Sequence, residues 1–238
     1  VKGGIRMAFI TKIAEYIKAH YNLKKETLTV IFPNKRAAFK LRKELSKNNK
    51  ENIWLPHILS IQEAMSDWSG IQLIDNVDIT FELIKILNNS DNNTLRYDNF
   101  GIASQMLKDF DEIDQYAVDA KGIFNYLNEV KKLENWTPDL TNKTETEYLN
   151  FFSSLYGYYN SLREILLHNK VGYYGLICRE LYNLSKEELE SIIGDRKIIF
   201  AGFNAMTRTE EEIIVRLVRT GNARLIWDLD KYYFEDVK

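Results

Sequence analysis

The chain has 238 residues, 45% of them hydrophobic, with a single cysteine and a formal charge of −2. That apolar content excludes wholesale disorder, one cysteine excludes a disulfide framework, and no apolar run approaches the ~18 residues of a bilayer span. Near-neutrality excludes a histone-like nucleic-acid binder but leaves room for a local basic patch. The expected setting is reducing and cytoplasmic, with no membrane partner. Val1–Arg6 lacks the apolar core of a secretion signal and reads as a leftover expression sequence ahead of Met7.

Phe9 to Tyr21 predicts an amphipathic helix, because Phe9, Ile13, Tyr16 and Ile17 recur at helical spacing among Thr11, Lys12, Glu15 and Lys18. Thr27 to Phe32 is β-branched and apolar and is followed by Pro33, the pattern of a short buried strand. Asn34 is a good helix cap, so a helix is expected from Lys35 to about Asn48. Its apolar stripe is Ala38, Leu41 and Leu45, with Phe39 beside it. Ile53 to Pro56 reads as a second strand, after which Pro56 opens a turn and Ser60 caps a helix to Trp68. Asp75 to Leu87 is a further helix carrying Val77, Phe81, Ile84 and Leu87, and Asn88 to Asn93 is a polar loop.

From Tyr97 to about Ile193 the patterns are helical only, over roughly 98–115, 119–134, 145–169, 173–183 and 186–193. The aromatics Tyr148, Phe151, Phe152, Tyr156, Tyr158 and Tyr159 are expected in the core rather than on a base-stacking face, since helical aromatics usually meet other helices. Strand character returns at Lys197 to Phe203. Thr207 and Glu210 form a capping box that opens a helix from about Arg208 to Arg219, and Ala223 to Asp228 is another strand. Strand–helix units on both sides of a helical block predict an α/β fold with a parallel sheet and an inserted all-helical lobe. The expected boundaries are an α/β domain from 1–94 and 194–238 and a lobe over 95–193, with strands 27–32, 198–203 and 223–228 parallel in one sheet.

Nucleotide binding needs a Gly-rich loop ending in Lys-Ser or Lys-Thr, and an acidic pair after a strand to hold magnesium. Gly3-Gly4 does not supply the first, and Ala201-Gly202 stands where the acids would be. No cofactor is expected. No metal site is expected either, because His20, His57 and His168 lie far apart and no Cys or His cluster has ligand spacing. Cys178, in the run Leu176-Ile177-Cys178, is expected to be buried and inert. Pro138-Asp139 with Asp195-Arg196-Lys197 loosely matches a Pro-Asp…(Asp/Glu)-x-Lys nuclease signature. That chemistry needs the acid and lysine late on one strand, whereas Lys197 opens one, so no catalytic residue is assigned.

The positive signal is electrostatic. Residues 35–50 hold Lys35, Arg36, Lys40, Arg42, Lys43, Lys47 and Lys50 against Glu44, a net +6. Residues 108–119 hold Asp109, Asp111, Glu112, Asp114 and Asp119 against Lys108, a net −4. Lys35 and Arg36 open a helix directly after a strand, where free N–H groups and cationic side chains suit a phosphate. The same stretch also reads as a solvated helix face after an ordinary strand-to-helix turn.

The run Thr29-Val30-Ile31-Phe32-Pro33-Asn34-Lys35-Arg36-Ala37-Ala38-Phe39-Lys40-Leu41-Arg42 resembles the single-strand-contacting motif Ia of superfamily 1 helicases. Pro33 stands where those enzymes often have threonine, and Arg36 is an addition before the alanines. Ile198 to Glu210 resembles the motif II region, with the acidic pair replaced by Ala201 and Gly202, and Trp227-Asp228-Leu229-Asp230-Lys231-Tyr232-Tyr233 takes the place of motif III. Together these look like the N-terminal region of AddB-like inactivated helicases with a PD-(D/E)XK nuclease domain, the B subunit of AddAB-type helicase–nucleases in Bacteroidetes-type bacteria.

The resemblance implies a P-loop-NTPase-like, UvrD-like 1A domain without its phosphate loop and a helical 1B-like insertion. It implies a non-catalytic role in DNA repair at double-strand breaks: binding single-stranded DNA and scaffolding an active AddA-type helicase subunit. Exonuclease activity would belong to a C-terminal domain of the longer family members. The DNA-binding residues it implies are Asn34, Lys35, Arg36 and Lys40. The alternative is a protein–protein interaction scaffold with no remaining DNA binding.

Overall fold

The computed structural model describes residues 8–47, 54–89, 99–134 and 143–228. The described residues form an α/β protein with a four-stranded parallel sheet and ten helices. The chain divides into two compact units, Val1–Trp68 with Asn183–Lys238, and Ser69–Tyr182.

The first unit contains α1 (Phe9–His20), β1 (Leu28–Phe32), α2 (Lys35–Ser46), β2 (His57–Ser60) and α3 (Ile61–Ser69). After the second unit it resumes with α9 (Lys186–Ile193), β5 (Lys197–Ala201), α10 (Arg208–Arg219) and β6 (Ala223–Ile226). The strand order is β2-β1-β5-β6, and every pairing is parallel. The three expected strands therefore do share one sheet. β1 is buried along its whole length and β5 along all but its first residue, as central parallel strands must be when helices cover them. One core joins Ile13 and Ile17 of α1 to Val30 and Phe32 of β1 and to Leu41 and Leu45 of α2. Thr207 and Glu210 close the expected capping box on α10, and Ser185 and Glu188 close another on α9.

The second strand is displaced from its expected place. Trp54 to Pro56 are not in a strand, and Ile53 lies outside the described residues. The ladder runs instead from Thr29↔His57 to Phe32↔Ser60. Pro56 has no N–H to give a ladder, and the buried side chains, Ile58 and Ser60, come after it.

The second unit contains β3 (Gln72–Leu73), α4 (Asn76–Asn89), α5 (Asn99–Gln115), α6 (Ala120–Glu134), α7 (Lys143–His168), β4 (Val171–Gly172) and α8 (Tyr174–Asn183). It thus takes in α4, which the expected boundaries place in the α/β domain. The reason is packing: Ile79, Leu83 and Leu87 of α4 lie in one core with Leu107 and Phe110 of α5 and Leu162 of α7. Val77 and Phe81, expected on the apolar face of α4, are exposed, and the helix continues through Asn88 and Asn89. The rest of the expected polar loop lies outside the described residues. The unit is also not purely helical, because β3 and β4 pair in parallel over Gln72↔Val171 and Leu73↔Gly172. Two-residue strands are too short for period-2 alternation to show in a sequence. Tyr158 and Tyr159 are buried and Phe151, Phe152 and Tyr156 pack against the same core, as expected of a core stripe, while the side chain of Tyr148 lies outside what is described. Cys178 is buried, also as expected.

At the centre of this unit Asp114 is fully buried. It accepts hydrogen bonds from Tyr159 Oη (2.6 Å) and Tyr173 Oη (2.7 Å), and Arg163 Nη1 stands 3.5 Å away. Arg163 reaches Glu180 through its other terminal nitrogen. Asp111, one helical turn earlier, accepts from Gly175 N–H at 2.6 Å, a carboxylate set at the start of α8. A β-carbon on Gly175 would lie 2.3 Å from Asp111 O, so only glycine permits that approach.

Candidate nucleic-acid interface

In this strand order β1–α2–β2 runs one way across the sheet and β5–α10–β6 the other. The order reverses between β1 and β5, and open parallel sheets bind ligands beyond the C-terminal strand ends at such a point. β1 ends there before Pro33-Asn34, and β5 ends before Gly202-Phe203-Asn204. Gly202 has φ +72°, and a β-carbon there would meet Phe9 Cε1 at 3.1 Å. Its N–H donates to Ile226 O at 2.9 Å, which fixes the turn to the end of β6. No carboxylate stands at the end of β5: Ala201 is buried and Gly202 has no side chain.

α2 begins at this reversal. Asn34, in extended conformation, accepts from Ala37 N–H through Oδ1 at 3.0 Å. The first-turn amides of Lys35 and Arg36 have no partner within the helix, which leaves positive potential at this end. Arg42 anchors the helix by donating to Ile58 O of β2. Asn34→Ala should cost about 1 kcal/mol of stability, measured by urea unfolding, because it removes the cap.

Lys35 Nζ lies 3.2 Å from Glu63 Oε1. Glu63 Oε2 also accepts from the backbone N–H and hydroxyl of Ser60, at 2.9 and 2.8 Å. The Ser60 N–H, then its hydroxyl and the Lys35 ammonium, hold the Glu63 carboxyl below its usual range against the opposing effect of burial. Lys35 is therefore partly neutralised. Arg36 and Lys40 are exposed and make no ion pair among the described residues.

The buried stripe of α2 is Ala38, Leu41 and Leu45. At 100° per residue, Arg36, Lys40, Lys43 and Lys47 fall on the opposite side of the helix, within one narrow band. Phe39 borders that band and is 65% exposed. Lys47, at the far end, pairs with Glu44 at 2.5 Å, and Glu44 also accepts from Thr11 Oγ1. The outward band thus carries Arg36, Lys40 and, in the last turn, Lys43, none of them in an ion pair among the described residues, beside a bare aromatic ring. Such a surface attracts polyanions and offers a flat face for stacking.

All four residues expected to bind DNA, Asn34, Lys35, Arg36 and Lys40, thus fall within the first turns of α2 or at its cap. Two have internal work: Asn34 as a cap, Lys35 in its ion pair. From the sequence Phe39 falls beside the core stripe, and Lys43 is not among the residues expected to bind DNA. The spacing of 36, 40, 43 and 47 was the signal that would have found the band.

Arg196 donates to Ile192 O and Ile193 O, and Lys197 donates to Asn222 Oδ1 at the start of β5. Both side chains are thus engaged at the ends of α9 and β5, and Pro138-Asp139 lie outside the described residues. Among the described residues no three His, Cys, Asp or Glu side chains are placed to hold a metal ion. No helix among them is long and apolar enough to cross a membrane. No protein-family model matches the sequence, and no curated protein is significantly similar to it.

Proposed function

We propose that this chain is a non-catalytic, helicase-like N-terminal region of a DNA-repair helicase–nuclease, which binds single-stranded DNA and scaffolds an active AddA-type helicase subunit. The observation that carries the DNA part is the outward band of α2, where Arg36, Lys40 and Lys43 border the exposed Phe39 beside the reversal point of the sheet. Cations there would neutralise phosphates while a base stacks on the Phe39 ring, a mode of binding that needs no ATP. The helicase part rests on the motif resemblances, and the absence of acids at Ala201 and Gly202 is in keeping with an inactivated member. Nuclease chemistry would then belong to a further domain of the longer protein.

The test is fluorescence anisotropy of a labelled oligo-dT strand at low and moderate salt. Binding should be weak and steeply salt-dependent. Phe39→Ala should weaken it by about 1–3 kcal/mol while leaving the salt slope unchanged, because a stacked ring carries no charge. No binding at low salt would defeat the DNA reading and favour a scaffold alone.

A further inference from the structure

The second unit carries a groove of about 780 Å³ between α5, α6 and α7. Its floor includes Met106, Phe110, Ile113, Phe124, Leu127 and Leu155. One rim is a ridge of α5, formed by Gly101, Gln105, Asp109 and Glu112 and continued by Tyr116 just past the helix, whose spacing of three and four keeps them in line. All five are exposed, Tyr116 by 52%. Gln105 donates to Asp109 at 2.9 Å, and neither Asp109 nor Glu112 meets a cation among the described residues.

We propose that this groove docks a basic amphipathic helix of a partner protein. The inference goes beyond DNA binding and stands whether or not α2 contacts DNA. Three features fix the occupant. From residue 101 to 116 the ridge rises about 22 Å, the length of roughly four helical turns. The walls are helices whose backbone groups are already paired. An extended peptide would bury its own amides without partners, whereas a helix satisfies its own. The carboxylates of Asp109 and Glu112, which meet no cation among the described residues, border an apolar trough and call for Lys or Arg beside an apolar stripe. They would repel nucleic acid. This chain's own basic helix, α2, cannot be the occupant supplied by a second copy, because its apolar stripe is buried in its own core.

The experiment uses the full chain and two fluorescein-labelled helical peptides of about four turns, each with a leucine stripe. One peptide has lysines flanking the stripe and the other has glutamates. The lysine peptide should bind at least about tenfold more tightly. Asp109→Lys with Glu112→Lys should reverse that preference, with the circular dichroism spectrum unchanged because both side chains are exposed. Equal binding of the two peptides, no binding of the lysine peptide, or an unreversed preference would overturn the proposal. A dimer of the unliganded protein that the double variant dissolves would also overturn it, by assigning the groove to a second copy.

Discussion

Asp114→Ala is expected to destabilise the helical unit by about 3–5 kcal/mol. The substitution strips two buried hydroxyls, Tyr159 and Tyr173, of their acceptor and leaves Arg163 with Glu180 as its remaining carboxylate. Each loss carries a desolvation cost that no water can repay inside a packed core. Asp114→Asn keeps one acceptor oxygen and should cost less. Burial, against the hydrogen bonds from both tyrosines and the charge of Arg163, holds the Asp114 carboxyl above its ordinary range. The native state therefore binds this proton more tightly than the unfolded chain does. That contribution is fully present below the unfolded value of about 3.9 and is lost as pH rises through the raised native value. The advantage of the wild type over Asp114→Asn should accordingly widen on going from about pH 7 to about pH 4. Urea unfolding of the three proteins at both pH values measures this. A loss below about 1 kcal/mol for Asp114→Ala would mean that the network is not structural.

The second large effect concerns α2. Arg36→Glu, Lys40→Glu and Lys43→Glu combined should abolish binding of single-stranded DNA at moderate salt. If binding survives at low salt, the log–log salt slope should be flatter by about 2, from three contacts at about 0.7 each. Lys47→Glu should do far less, because Glu44 already opposes that charge. The stability of the triple variant should change little, since none of the three side chains is buried and the gain from an acid in the first turn at position 36 opposes the loss of the last-turn cation Lys43. Unchanged affinity in the folded triple variant would remove α2 from the interface.

The parts of the fold that were legible in the sequence share one property: local pattern and tertiary role agree. β1 and β5 are continuous apolar runs because the sheet buries both their faces. Asn34 and Thr207 cap the helices they were expected to cap, because capping uses contacts within one turn. The misses depend on partners far along the chain. β2 follows Pro56 because its register is set by β1, and β3 exists through pairing with β4, about a hundred residues later in sequence. α4 joins the helical unit because α5 and α7 offer its apolar face a core, which a loop signal after α4 could not reveal. The candidate site divides the same way. Its position on α2 was visible as a cationic helix start, but the partner of Lys35 is Glu63, twenty-eight residues on, and only packing exposes Phe39.

The most direct test of the central claim, that the outward face of α2 grips single-stranded DNA, is photo-cross-linking. An oligo-dT strand carrying 5-iododeoxyuridine is irradiated with the intact protein at low salt, and the joined peptide is identified by mass spectrometry. Stacking on the exposed Phe39 ring predicts a cross-link on the α2 peptide, lost in Phe39→Ala and suppressed by added salt. A cross-link confined to another exposed aromatic such as Tyr126, or persisting undiminished in Phe39→Ala, would contradict the account.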